Sequence, residues 1–184
     1  MSPVSRKAVL FVAVVLLQAA VLAVMAGERM HLLATGTPVM LACEPVDPRS
    51  LFSGDYVRLR YKISRISPSE VDRTHEGSDE IKKNDTVYVA LKKDSKGELY
   101  RAAAVSKDLS ELSGRFPAVL RATVTGTGNG LLLRYGLEDY FVPQDQGKMM
   151  ERDLRNVTVE VRVGKSGDSA VSRVFFRGKE VHFE

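Results

Sequence analysis

The sequence predicts a mainly β protein: an N-terminal transmembrane helix followed by an antiparallel β-sandwich or open barrel domain with one or two short helices. Three observations carry this. Residues 8–27 form an uncharged run of twenty, nearly all apolar. Beyond Thr37 the apolar positions recur with period two instead of 3.6. Breaks rich in glycine, aspartate and lysine then separate a series of short strand-like runs.

The 184 residues and 44% apolar content leave room for one globular unit, at about 100–200 residues per domain. A charged fraction of 27% is too high for a polytopic membrane protein, and the apolar share is too high for a disordered chain. The single cysteine excludes a disulfide scaffold and a thiolate-only metal site. The net charge of +4 divides evenly. Residues 1–29 hold Arg6, Lys7 and Arg29 against Glu28, and residues 30–184 hold 24 basic and 22 acidic groups. That is a weak footprint for a nucleic-acid binder, so no nucleic-acid partner is expected.

A helix over Ala8 to Gly27 would span about 30 Å, the thickness of a hydrocarbon core. Gln18 is its only strongly polar side chain. Arg6 and Lys7 flank it on one side, while Glu28 and Arg29 cancel on the other. The positive-inside bias then predicts a cytoplasmic stub (1–7), an anchor (8–27), a juxtamembrane linker (28–36) and an extracytoplasmic domain (37–184) on the inner membrane. The competing reading is a cleaved signal peptide, with Val24-Met25-Ala26 before the cut. Signal h-regions run about 7–15 residues, and the greater length here favours an uncleaved anchor. Met40-Leu41-Ala42-Cys43 has a faint likeness to a lipoprotein processing site, but Cys43 lies sixteen positions beyond the apolar run. A half-buried strand cysteine is the expectation.

The strands follow in order. In residues 55–63, Val57, Leu59, Tyr61 and Ile63 face one way and Tyr56, Arg58, Arg60 and Lys62 the other, a half-solvated strand. Runs at 86–91 and 99–105 flank a polar loop at 92–97, and runs at 119–125 and 131–135 flank a glycine-rich loop at 126–130. Runs at 157–163 and 170–176 make a third hairpin through residues 164–168. Residues 47–52 carry an N-cap acid and a proline, enough for one helical turn, and residues 144–156 fit two or three turns. Residues 67–84 read as an exposed excursion. Gly54-Asp55 and Asn84-Asp85 both read as tight turns with an Asx cap feeding a strand.

Two segments are richer in special residues than strand patterning requires: residues 44–61, and Tyr135-Gly136-Leu137-Glu138-Asp139-Tyr140-Phe141-Val142-Pro143. In Gly54, Asp55, Tyr56, Leu59 and Tyr61, with the Glu-Pro-Val-Asp-Pro-Arg lead-in, the sequence resembles the bacterial GDYXXLXY family. The second segment is similar to that family's downstream signature. The resemblance covers essentially the whole chain. It implies a membrane-anchored protein without an assigned activity, expected beside polytopic membrane proteins, and it carries over no catalytic residues.

Asp55, Tyr56, Arg58, Tyr61, Tyr135, Glu138 and Tyr140 form the candidate binding groove, since phenols offer an apolar face and a polar tip. Paired carboxylates such as Asp55 and Glu138 in a dry cleft would suit acid–base work in an envelope hydrolase or transferase. Each acid also has a local structural task, Asp47 as N-cap, Asp55 in a turn, and Glu138 opposite an arginine such as Arg49 or Arg58. His31, His75 and His182 lack ligand spacing, so neither metal nor cofactor is expected. The glycines at 126–130 lack the lysine and following helix of a phosphate loop. No nucleophile elbow appears, and Ser106-Lys107 would point to opposite faces of a strand, against a signal-peptidase-like pair. The expectation is a membrane-anchored accessory or binding protein. Its partners are the bilayer and another integral membrane protein; its ligand is not named by any motif. A redox role through Cys43 is a weaker third reading.

Overall fold

The computed structural model describes residues 6–44, 56–67, 72–73, 80–95, 97–141 and 156–181. Its first element, α1, runs unbroken over Arg6–Thr35, about 45 Å at 1.5 Å per residue. The apolar part, within Val9–Thr35, has a mean hydropathy of 2.8 and none of it is buried. One N-terminal helix is therefore long and apolar enough to cross a membrane. Residues 28–35 continue the same helix.

Gly36 ends α1, its N–H donating to the Leu32 carbonyl at 2.8 Å. Only glycine fits there: a β carbon would lie 2.6 Å from the Leu32 carbonyl oxygen and 3.0 Å from Arg162 Cβ. The chain turns directly into β1 (Thr37–Glu44), in which Val39, Leu41 and Cys43 point into the core. The remaining strands are β2 (Tyr56–Arg58), β3 (Arg60–Tyr61), β4 (Arg65–Ile66), β5 (Asp72–Arg73), β6 (Thr86–Lys93) and β7 (Tyr100–Ser106). They are followed by β8 (Ala118–Gly126), β9 (Leu131–Arg134), β10 (Asp139–Phe141), β11 (Val157–Val163), β12 (Ser169–Phe176) and β13 (Lys179–Glu180).

These strands make a five-stranded sheet ordered β13-β12-β11-β1-β3, a six-stranded sheet ordered β4-β9-β8-β6-β7-β5, and a β10-β2 pair. Pairing is antiparallel except where β5 lies parallel to β7. One apolar cluster fills the space between the two large sheets. Val39, Leu41, Val159 and Val161 enter from one side, and Val87, Val89, Leu120 and Val124 from the other. The protein is thus mainly β, with two packed antiparallel sheets behind an apolar helix, and the three expected hairpins are present.

Three details differ from the sequence expectation. The described part of the expected 55–63 strand, residues 56–63, is not one strand. β2 pairs with β10, β3 pairs with β1, and a 3-10 turn at Lys62–Ser64 carries the chain across to β4 in the other sheet. The burial alternation survives this crossing: Leu59, Tyr61 and Ile63 are buried, and Arg60 and Lys62 are exposed. Second, β7 is buried continuously from Ala103 to Ser106. The 3-10 turn Leu109–Glu111 and Leu112 cover its outer side, with Ala90, Ala104, Leu112 and Val119 forming a small second cluster. Asp108 caps that turn, accepting the Ser110 N–H at 2.8 Å. Third, β5 adds a short strand within the expected excursion. The helical turns expected at 47–52 and over 144–155 lie outside the described residues, as does the Gly54-Asp55 turn. The tight turn before β6 is present, but the Asp85 carboxylate reaches back to accept the Lys82 N–H at 2.9 Å instead of capping forward into the strand.

Candidate functional site

The two motif segments meet. β2 and β10 pair Arg58 with Asp139, Val57 with Tyr140 and Tyr56 with Phe141. The Leu59 N–H then donates to the Glu138 carbonyl at 2.7 Å. Tyr61 is fully buried, and its hydroxyl donates to the Leu137 carbonyl at 2.8 Å. Tyr135, 8% exposed, answers from the other segment, donating its hydroxyl to the Ile63 carbonyl at 2.7 Å. Burial, with the nearby Glu138 charge second, pushes the Tyr135 phenol well above its ordinary range and keeps it a donor. The two segments are therefore joined by backbone pairing and by two phenol-to-carbonyl bonds running in opposite directions.

Glu138 bonds to backbone. Its Oε1 accepts the Tyr135 N–H at 2.6 Å, closing the 135–138 turn. The side chains of Arg49 and Arg58, the arginines expected opposite Glu138, lie outside the described set. Asp55 also lies outside it, and Tyr56, Arg58 and Tyr140 are described only by their backbone pairing. Of the seven candidate groove residues, the structure brings together Tyr61, Tyr135 and Glu138 by side chain. It adds Tyr56, Arg58 and Tyr140 by strand register.

Two hollows adjoin this junction. One of about 380 Å³ is lined by Arg121, Thr123, Arg134, Gly136, Glu138 and Asp139. The other, about 460 Å³, is lined by residues including Glu44, Arg60, Arg65, Arg134 and Glu138. Glu138 and Arg134 border both. Among the described residues no three of His, Cys, Asp or Glu gather where a metal ion could be held.

Cys43 lies 1% exposed on β1, deeper than the half-buried strand position expected. Burial pushes its thiol up to about 12. Burial withdraws the thiol from solvent and from partners, which weighs against the redox reading.

A third hollow, about 980 Å³, lies where α1 meets the sheets. Met25, Glu28, Arg29, Leu32 and Thr35 line one wall at helical spacing, and the turn from Val163 to Ser169 lines the other. Arg29 Nη1 donates to the Ser169 carbonyl at 2.8 Å, and Arg162 Nη1 to the Gly36 carbonyl at 3.3 Å. Sequence reading missed this site because it ended the helix on composition at Gly27. The signal available was the spacing of Met25, Glu28/Arg29, Leu32 and Thr35, which continues one helical face.

The described residues thus define a β protein of two sheets behind an apolar N-terminal helix, its two tyrosine-rich motifs interlocked. Residues 18–174 match the family described as GDYXXLXY protein, and the chain belongs to that family. No curated protein and no solved structure matches it.

Proposed function

We propose that this chain is a membrane-anchored accessory or binding subunit of a bacterial envelope assembly. In this reading the N-terminus is cytoplasmic and the β domain stands outside the inner membrane. The observation that carries it is the surface of α1. Val9, Leu10, Phe11, Leu16, Leu17, Leu22 and Met25 are each more than half exposed, on all sides of the helix. An apolar surface of that extent is covered in a working protein, by lipid tails and by a neighbouring membrane helix. Gln18 supports the second occupant, since an amide within the hydrocarbon is best satisfied across a helix–helix contact.

Affinity capture of the full chain in mild detergent is expected to recover an integral membrane protein, and Gln18→Leu to weaken that recovery. Protease added to intact spheroplasts is expected to digest the β domain. Recovery of no membrane partner, or a protected C-terminal domain, overturns the proposal.

The alternative is an envelope hydrolase or transferase using Asp55 and Glu138. Its support is that Glu138 borders two hollows. Asp55→Asn and Glu138→Gln separate the readings. Loss of a turnover activity in a folded protein favours the enzyme, and loss of thermal stability alone favours the accessory protein.

A further inference from the structure

We propose that the hollow between the last turns of α1 and the Gly164–Ser169 turn binds the phosphate headgroup of an anionic phospholipid. The inference rests on the anchor reading above and adds a ligand class and a site to it.

Depth is the first argument. Met25, inside the apolar run, already lines the hollow. Glu28 to Leu32 follow within about 8 Å of the end of that run. A headgroup layer is about 5–7 Å thick on each side. The hollow therefore opens at the level of lipid phosphates and is continuous with the acyl region below it.

Charge is the second. Arg29, Arg121 and Lys165 line the hollow together with His31, against Glu28 and Asp168. Asp168 is already paired with Arg121. Arg29 spends one N–H on the Ser169 carbonyl and keeps further donors in its fork. Lys165 makes no hydrogen bond or ion pair with the described residues. The charge left over is positive and faces the membrane side of the domain.

Rigidity is the third. The wall opposite α1 is held before any ligand arrives. Gly164 N–H donates to the Asp168 carbonyl at 2.8 Å, Gly167 N–H to the Gly164 carbonyl at 3.1 Å, and Arg121 N–H to the Gly167 carbonyl at 2.9 Å. Gly167 has φ +85°, which disfavours any other residue, and a β carbon there would sit tightly, 3.2 Å from the Arg121 nitrogen and 3.3 Å from the Tyr88 ring. A fixed wall avoids the ordering cost that weakens binding to a loose loop.

The test uses the full chain in nanodiscs of phosphatidylcholine with a minor fraction of phosphatidylglycerol, and counts by native mass spectrometry the lipid that stays bound on release. Preferential retention of phosphatidylglycerol is expected. Each unit of charge near the surface is worth about fivefold, so Lys165→Glu is expected to weaken retention about 25-fold. Glu28→Gln is expected to strengthen it, which a damaged fold would not do. Equal retention of both lipids, indifference to Lys165→Glu, or displacement by inorganic phosphate overturns the assignment. Alkaline carbonate extraction of the same membranes separates the two claims. A protein that resists extraction yet shows no lipid preference refutes the headgroup site alone, whereas one that is stripped refutes the anchor and the site together.

Discussion

Tyr61 and Tyr135 each hold the other's chain segment. The Tyr61 hydroxyl is bonded two residues beyond Tyr135, at Leu137, and the Tyr135 hydroxyl two residues beyond Tyr61, at Ile63. Both rings lie in the core between the sheets. The motif tyrosines thus act as a reciprocal clasp at the point where the chain crosses from one sheet to the other.

Tyr61→Phe and Tyr135→Phe are each expected to destabilise the protein by about 1–3 kcal/mol, because each leaves a buried carbonyl without its donor. Chemical denaturation of the full chain in detergent measures this. The double variant is expected to cost less than the sum, because breaking either bond loosens the same crossing. Strict additivity would show two independent contacts.

Alkaline pH tests the same core. Tyr135 has its folded-state pKa raised, and Cys43 is raised to about 12. For such groups folding is unaffected below the ordinary value of the free side chain. Stability then falls as pH rises through the folded value, because only the unfolded chain ionises readily. The expected loss begins above about pH 9 for the thiol and about pH 10 for the phenol. Cys43→Ala is expected to flatten the first part of that decline in a pH series of melting curves.

At neutral pH Cys43 is expected to resist a maleimide probe until denaturant is added, and non-reducing gels to show no covalent dimer. Rapid labelling of the folded protein would contradict its burial.

Acid acts on another group. Lys107 beside Asp85, at 2.8 Å, holds that carboxyl below the usual carboxylate range. Its contribution is present above the ordinary carboxylate pKa and is lost as pH falls through the lower folded value. Asp85→Asn is expected to remove that acid-sensitive part of the stability profile, with a small effect because the pair is open to solvent on one side.

Gly36→Ala is expected to disturb the junction of helix and domain, since its β carbon meets the Leu32 carbonyl and Arg162. The expected cost is about 1–3 kcal/mol. Crosslinking between cysteines placed at residues 29 and 169 reports whether the helix stays docked. Unchanged stability and crosslinking would show that the junction yields freely.

Local patterning made much of this fold legible. Alternation in β6, β8 and β11 marked the strands, and loops at 92–97, 126–130 and 164–168 marked the hairpins. The inward positions Leu59, Tyr61 and Ile63 were readable from period two alone. Their partners were not, because pairing with β1, β10 and β9 in turn depends on contacts distant in sequence. The turn at Leu109–Glu111 had a readable signal in Asp108 and Glu111, three residues apart. The phenol bonds of Tyr61 and Tyr135 end on backbone carbonyls, which no side-chain pattern advertises. The Glu138 bond to the Tyr135 N–H was not legible either, because that donor sits beside the carboxylate only once the 135–138 turn has formed.

Gly36 passes α1 straight into β1, whose residues Thr37 to Ala42 are laddered to Val163 through Thr158 on β11. In the anchored reading proposed above, a pull on the helix reaches the domain through β1, an internal strand of its sheet. The six residue pairs of that ladder are the first to share the load.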